Sequence, residues 1–292
     1  MIKKGTLLLI TMLAFALTGK SQHQIGYASV NGTKLYYEIT GKGTPIVFIH
    51  GIFSDTRNWK YQTDFFSKKY KVICYDGRGY GRSDLPDSIH PFYQYEDLKC
   101  LLDYLKIKKA IVVGHSMGGV TAMDFAVHYP ERVIALILAE GSSHSEEIWG
   151  KTSDVSEQLR LVWKILAEQG IEAGQKAFLE IPMIQISLKN NMAAEIIRKM
   201  TTESPGWKWH LHNKKQNYLL ESLEILKKFQ PPTLVLYGEY SPDLYFKAMS
   251  KVAETIPNAK LLQIKGSSHC LNLENPDDFN KAIANFLTDS KP

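Results

Sequence analysis

This chain of 292 residues lacks a disulfide framework and a strong excess of one charge. It also has no long apolar run apart from one at its N-terminus. Its three cysteines, an odd number, give no disulfide framework; they are Cys74, Cys100 and Cys270. The formal net charge is +5, and part of it comes from lysines near the N-terminus, so the rest of the chain is nearly neutral. This balance excludes the basic footprint of a nucleic-acid-binding protein. The composition, 44% hydrophobic and 22% charged, is that of a globular protein with a sizeable core.

The long apolar stretch that is present lies at the start of the chain, in MIKKGTLLLITMLAFALTGKSQ. A cationic start precedes a mostly apolar run from Leu7 to Leu17, and small and polar residues follow it. This order is typical of a secretory signal peptide, so residues 1–22 are predicted to be removed and the mature protein to be secreted or periplasmic. A membrane anchor is the alternative, which the short run disfavours because a spanning helix needs about 20 apolar residues. No stable membrane span is expected after processing.

Strand and helix patterns alternate along the next part of the chain. Two alternating segments flank the turn pair Asn31-Gly32, which favours a hairpin. Continuous apolar runs predict strands buried on both faces, at Pro45–His50, Tyr70–Asp76, Lys109–His115 and Arg132–Glu140. Segments with helical spacing lie between them, notably Tyr93–Leu105 and Met117–His128. The alternation predicts an α/β fold with a mostly parallel central sheet and helices on both faces.

The alternation stops after Glu140 and resumes at the apolar run Pro232–Gly238. A parallel crossover needs about a dozen residues, far fewer than this interval contains. Helical stretches and tryptophans occupy the interval, so residues 141–230 are predicted to form a helical cap inserted into a core of residues 23–140 and 231–292. An apolar lid of this kind excludes water from a site beneath it. An ordinary second domain with its own core is the alternative.

The segment GHSMG, residues 114–118, lies where a predicted buried strand ends and a predicted helix begins. A serine hydroxyl is a weak nucleophile, and a sharp strand-to-helix turn lets it stand clear of the backbone. Such a turn crowds the positions two before and two after the serine, where Gly114 and Gly118 carry no side chain. Ser116 is therefore the predicted nucleophile. The N–H of Met117 lies in the first helical turn, where unpaired donors suit a developing oxyanion.

With this turn the chain resembles the α/β-hydrolase superfamily, and further segments support the likeness. HGIFSDTRNW, residues 50–59, is similar to the turn after that family's third strand. The resemblance implies that Gly51 belongs to this turn and that the N–H of Ile52 is the second oxyanion donor. YDGRGYGRSD, residues 75–84, resembles the segment after the fourth strand, whose glycines serve a tight turn rather than a dinucleotide site.

The segment GSSHCLNLENPDDF, residues 266–279, resembles the family's histidine loop, which makes His269 the general base. The family's acid usually follows the penultimate strand, and Ser241 stands at that place. Asp243 lies two residues later, where it is either the acid or a helix-terminal charge. Glu140 ends the strand next to the nucleophile's own, where some family members carry their acid, and is otherwise a structural carboxylate. Glu140 is favoured, with Asp243 as the alternative, and both keep the order serine, acid, histidine.

These residues predict an enzyme in which Ser116 attacks a carbonyl carbon and His269 accepts its proton. Because serine and not aspartate is the nucleophile, the resemblance implies hydrolysis of a carboxylic ester. The aromatic residues of the predicted cap indicate a small-molecule substrate with an apolar or aromatic group. Hydrolysis of a C–C bond, an amide or a lactone in the same fold stays open. A catalytically silent ligand-binding protein is the alternative of another class, supported by the serine at position 241. No cofactor or metal is expected, because the nine histidines form no evident ligand set.

Overall fold

The computed structural model describes residues 23–86, 90, 92–141, 154–205 and 225–290, so the predicted signal peptide lies outside the described residues. In this part of the chain eight strands form one sheet, in the order β1-β2-β4-β3-β5-β6-β7-β8. They are β1 (His23–Val30), β2 (Thr33–Thr40), β3 (Thr44–Ile49), β4 (Tyr70–Tyr75), β5 (Ala110–His115), β6 (Val133–Ala139), β7 (Thr233–Gly238) and β8 (Ala259–Ile264). The β1·β2 and β2·β4 pairs are antiparallel, and the other pairs are parallel. The predicted mostly parallel sheet is confirmed.

The first two strands form the predicted hairpin, in which Val30 pairs with Thr33. The two turn residues between them, Asn31 and Gly32, have φ angles of 47° and 69°. Positive φ at both central positions is the requirement of a two-residue turn whose twist matches that of the flanking strands. Asn and Gly are the residues that adopt this conformation at least cost, which is why the pair predicted the hairpin from sequence.

Helices cover both faces of the sheet, as predicted. They are α1 (Lys60–Phe66), α2 (Gln94–Tyr104), α3 (Met117–His128), α4 (Asp154–Gln169), α5 (Ile171–Leu179), α6 (Pro182–Ser187), α7 (Asn191–Thr202), α8 (Asp243–Thr255), α9 (Leu271–Glu274) and α10 (Pro276–Ser290). Val112 of β5 packs in one core with residues of α2, α3 and α8, whereas its neighbour Val113 packs in a second core with residues of α1 and α10. Successive side chains of a strand point to opposite faces, so a strand covered on both faces is apolar throughout.

Four helices, α4 to α7, lie between β6 and β7 and form the described part of the helical cap. Phe178 of α5 and Ile197 of α7 belong to one buried cluster with Phe53 and Tyr80, which lie in loops at the ends of β3 and β4. The cap therefore shares its apolar contacts with the sheet domain, which disfavours a second domain with a separate core. Its boundaries at residues 141 and 230 stay a prediction, because 142–153 and 206–224 lie outside the described residues. No described helix has the length and apolar character needed to cross a membrane.

Candidate active site

Ser116 sits on a strained turn between β5 and α3, with φ of 55° and ψ of −122°. Its N–H donates to the carbonyl of Ala139 at 2.9 Å, which anchors the turn to the neighbouring strand β6. A Cβ on Gly114 would lie 2.1 Å from the carbonyl oxygen of Gly118, and one on Gly118 would lie 2.1 Å from the carbonyl oxygen of Ile49. Only glycine leaves room for the backbone at these two positions. The crowding predicted on both sides of the serine is present.

His269 lies in the loop between β8 and α9, and its Nε2 is 3.0 Å from the hydroxyl oxygen of Ser116. Nε2 of His115 donates to the backbone carbonyl of His269 at 2.8 Å, and this hydrogen bond anchors the loop to the end of β5. The imidazole of His269 is buried, and burial lowers its pKa to about 4 because it disfavours the charged form. At neutral pH the ring is therefore neutral and able to accept a proton from the serine hydroxyl.

Glu140 is the carboxylate that faces the histidine. It follows β6 with φ of 51°, is 1% exposed, and places Oε2 at 3.6 Å from Nδ1 of His269. Its other oxygen, Oε1, accepts hydrogen bonds from the N–H of Gly238 at 2.7 Å and from the hydroxyl of Ser241 at 2.6 Å. Burial raises the pKa of Glu140 to about 8, against the lowering effect of these two hydrogen bonds. The alternative, Asp243, is exposed at the first position of α8.

Ser241 stands where the resemblance places an aspartate, and the structure gives it a different part in the same site. Its hydroxyl supports the carboxylate of Glu140 instead of facing the histidine itself. The sequence does not reveal this relationship, since on sequence alone the serine indicates only that the usual acid is absent. A hydroxyl next to a strand-end carboxylate gives no recognisable motif, because the two residues are far apart in the chain.

The two predicted oxyanion donors, Ile52 and Met117, lie in segments that adjoin Ser116. Met117 is the first residue of α3, where an N–H has no carbonyl partner one turn earlier in the helix. A Cβ on Gly51 would lie 3.1 Å from Cβ of Ser116, so this glycine lets the loop that carries Ile52 approach the serine closely. The predicted residues are thus brought together around one point, the hydroxyl of Ser116.

His50 fixes the peptide that carries the N–H of Ile52. Its Nε2 accepts a hydrogen bond from the N–H of Gly77 at 2.9 Å, so the ring proton is on Nδ1, which donates to the carbonyl of Gly51 at 2.7 Å. In a trans peptide the carbonyl and the following N–H point in opposite directions. Holding the carbonyl of Gly51 therefore also holds the direction of the N–H of Ile52. The His-Gly pair is visible in the sequence, but nothing in the sequence predicts this role of the histidine.

Beside Ser116 lies a cavity of about 30 Å³. The sheet domain lines it with residues that include Ile52, Phe53, Asn58, His269 and Cys270, and the cap covers it with Phe178, Ile184, Ile197, Met200 and Thr201. The walls are mostly apolar, and none of these lining side chains is a lysine, an arginine or a carboxylate. Within the described ranges, no three His, Cys, Asp or Glu side chains are grouped so that they could hold a metal ion.

A family model for the alpha/beta hydrolase fold matches residues 44–276. The chain belongs to the α/β-hydrolase family. A protein of Azorhizobium caulinodans named as a carbamate hydrolase is 29% identical over 268 residues, which cover 89% of this chain and 97% of the relative. The 2-hydroxy-6-oxo-6-phenylhexa-2,4-dienoate hydrolase of Comamonas testosteroni is 28% identical over 271 residues, which cover 87% of this chain and 91% of that hydrolase.

Among solved structures, the enol-lactonase of Burkholderia xenovorans aligns with a TM-score of 0.74 and 26% identity, covering 90% of this chain and all of the lactonase. The names of these α/β-hydrolase relatives refer to different bonds. Family membership therefore supports hydrolysis as the general activity, and the choice of bond has to be argued from the chemistry of the site.

Proposed function

We propose that this α/β hydrolase cleaves a carboxylic ester through an acyl-enzyme formed on Ser116. The observation that carries the proposal is the arrangement of Ser116, His269 and Glu140. The hydroxyl of Ser116 lies 3.0 Å from Nε2 of the neutral imidazole, and the buried carboxylate of Glu140 lies 3.6 Å from Nδ1 of the same ring. A nucleophile, a base and a group that orients the base are the three parts that serine acyl transfer needs.

The proposed reaction has two halves. The hydroxyl oxygen of Ser116 attacks the ester carbonyl while its proton passes to Nε2 of His269, and the N–H groups of Ile52 and Met117 hold the resulting oxyanion. Glu140 stabilises the imidazolium, which then gives its proton to the departing alcohol. In the second half water attacks the acyl carbon, its proton passes through His269 to the oxygen of Ser116, and the free acid leaves.

An ester is favoured over the other bonds that this fold cleaves. The name of the Comamonas relative describes the hydrolase of a dienoate, which carries a carboxylate. The described lining of the cavity beside Ser116 offers no cation to such a group, and burial keeps His115 and His269 uncharged by lowering their pKa values. A neutral ester needs no cation. A lactone is an ester within a ring and requires the same steps, so a lactone is the second candidate, in keeping with the name of the Burkholderia structure.

The size of the cavity favours a short acyl group. A volume of about 30 Å³ holds only two or three water-sized groups, since one water requires about 10–15 Å³ of such space. The walls are mostly apolar, so an acetyl or propionyl group fits them better than a polar one. On this argument we expect an aromatic part of the substrate, where there is one, to belong to the alcohol.

The alternative of a silent ligand-binding protein rested on the missing aspartate at position 241. Glu140 lies 3.6 Å from the histidine, which supports an enzyme over a silent binder because a second acid is present.

A fluorophosphonate probe and a series of esters test the proposal on the purified mature protein. We expect covalent labelling at Ser116 and turnover that falls from acetyl and propionyl to octanoyl and benzoyl esters. A folded protein that takes up no label would favour the silent binder. Labelling together with cleavage of amides or C–C bonds, but not of esters or lactones, would keep the serine mechanism and refute the proposed bond.

A further inference from the structure

A second buried carboxylate, Glu274, holds the backbone on both sides of His269. It is the last residue of α9 and is 8% exposed. Its Oε2 accepts a hydrogen bond from the N–H of Ser268 at 2.9 Å, and its Oε1 accepts one from the N–H of Cys270 at 2.9 Å. The backbone N–H groups of the two residues that flank His269 are thus bound to one side chain. None of these contacts involves the imidazole itself.

The same carboxylate is bound to the cap. The hydroxyl of Ser187, the last residue of α6, donates to Oε1 of Glu274 at 2.7 Å. The side-chain amide of Asn190 donates to the backbone carbonyl of Glu274 at 2.8 Å. Asn190 also caps α7, because its side-chain oxygen accepts from the N–H groups of Met192 and Ala193. Two cap helices, α6 and α7, are therefore tied to the residue that holds the histidine loop.

The hydrogen bond between His269 and Glu140, which depends on the position of the histidine loop, is not formed in the structure. Nδ1 of His269 and Oε2 of Glu140 lie 3.6 Å apart, and neither atom has a hydrogen-bond partner among the described residues. An N–H···O⁻ hydrogen bond of this kind is normally about 2.7–2.9 Å long. A small displacement of the backbone around His269 is enough to form or lose it.

We propose that Glu274 is a positioning residue for His269, and that its hydrogen bond to Ser187 makes the contact between His269 and Glu140 depend on how the cap is seated. The inference rests on the proposed function in that it concerns the same histidine. Buried hydroxyl and carboxylate groups in a fixed arrangement transmit small movements, because packed interiors deform little. A substrate that seats the cap over the cavity would then also bring Nδ1 towards Oε2.

Ser187→Ala separates this role from a merely structural one. The variant leaves Glu274 with both backbone donors and removes its bond to α6, together with the longer contact of 3.4 Å that the N–H of Cys270 makes with the same hydroxyl. We expect kcat for a short acyl ester to fall about tenfold, with KM changed less than about twofold, because proton transfer is misaligned while the cavity is intact. The downfield proton resonance of Nδ1 of His269, identified by its loss in His269→Ala, is expected to shift or broaden.

Gln185→Ala is the matched control. Gln185 lies in the same helix and donates to the carbonyl of Leu179 at 2.7 Å, so the substitution removes a cap hydrogen bond that does not reach the histidine loop. We expect its kcat and its Nδ1 resonance to equal those of the wild type. If Ser187→Ala and Gln185→Ala behave alike in both measurements, the proposal is wrong.

Glu274→Gln gives the stronger perturbation, since an amide nitrogen cannot accept from a backbone N–H. Its kcat is expected to fall about a hundredfold, and retention of wild-type kcat by a folded variant would overturn the proposal. If that variant does not fold, Ser187→Ala still decides. The Nδ1 proton resonance of His269 can be measured without turnover. A wild-type protein that cleaves no ester would therefore refute the proposed function. The positioning role would then be judged on whether Ser187→Ala changes that resonance.

Discussion

Oε2 of Glu140 lies 3.6 Å from Nδ1 of His269, while Oε1 of the same carboxylate is occupied by Gly238 and Ser241. The two oxygens thus have separate partners. Oε1 fixes the carboxylate to the end of β7, and in the proposed mechanism Oε2 is left to accept a hydrogen bond from Nδ1 when the imidazolium forms. This division explains how a residue at the end of β6 can serve a histidine that lies two strands away in the sheet.

Matched amide substitutions test which carboxylate is the acid. Glu140→Gln keeps the shape but removes the charge that stabilises the imidazolium and favours the wrong tautomer, a change that costs about 10⁴ in turnover in one serine protease. We expect a loss of at least about a hundredfold in kcat. Asp243→Asn, at an exposed helix terminus, should cost less than about tenfold. Steady-state kinetics on one ester compares them, and the reverse order would return the acid to the loop after β7.

Removal of the Ser241 hydroxyl should change the pH dependence of kcat/KM in a defined direction. The working form needs an ionised Glu140, whose pKa burial raises to about 8, and a neutral His269, whose pKa burial lowers to about 4. Ionisation of Glu140 is therefore expected to determine the pH at which kcat/KM rises, that is, the position of the rising limb of the profile. Because the hydrogen bond from Ser241 stabilises the carboxylate and lowers its pKa, Ser241→Ala should move that limb to higher pH by about 0.7 unit, the equivalent of one hydrogen bond of about 1 kcal/mol.

Asp243→Asn is the control for this pH experiment, since the exposed charge lies nearby in sequence but not against the carboxylate. Its rising limb should coincide with that of the wild type. A limb that stays in place in Ser241→Ala, or that moves to lower pH, would show that Glu140 is not the group being titrated.

Substitution of the nucleophile should abolish turnover without unfolding the protein. Ser116→Ala removes one hydroxyl from a half-buried turn and opens no cavity in the core. We expect a loss of about 10⁶ in kcat, as in comparable serine enzymes, with no fluorophosphonate labelling and an unchanged thermal unfolding midpoint. Residual activity above about one thousandth of the wild type would contradict nucleophilic catalysis by this residue.

The turn glycines should be needed for stability as well as for geometry. In Gly118→Ala the new Cβ meets the carbonyl oxygen of Ile49 at 2.1 Å, a backbone atom that cannot move aside, so we expect the free energy of unfolding to fall by about 3 kcal/mol or more. Gly32→Ala, in open space with φ of +69°, should cost about 1 kcal/mol. Urea unfolding of both variants measures the difference, and equal losses would mean that close packing at Gly118 is unimportant.

We also propose that residues 1–22 direct export. Mass spectrometry of the protein recovered from the periplasm or the medium should find an N-terminus near residue 23, because the segment has the order of a signal peptide. A cytoplasmic protein that retains Met1 would refute this proposal. The test does not depend on the catalytic assignments.

The positions proposed for the nucleophile and the base could be found in the sequence because each lies in a contiguous segment with a recognisable order. Gly114, Ser116 and Gly118 share one turn whose crowding is local, and the structure places His269 next to them. The sheet could be predicted for a similar reason, since burial on both faces makes each strand apolar throughout, as at Val112 and Val113.

The sequence reduces the candidates for the triad acid to two residues, but it does not decide between them. Glu140 and Asp243 both keep the required chain order, and what separates them is burial and direction, which depend on how β6 and β7 end in space. Glu274 and Ser187 were not predicted at all. Their contacts join residues 87 positions apart and follow no local pattern.

The contact between Ser241 and Glu140 also bears on how such a site changes during evolution. Side chains from the ends of two adjacent strands, β6 and β7, meet within 2.6 Å beside one histidine. We infer that an aspartate at position 241 would lie beside the carboxylate of Glu140, in the same site. A chain that carries both carboxylates would offer a route by which the acid of such a site moves from one strand to the next.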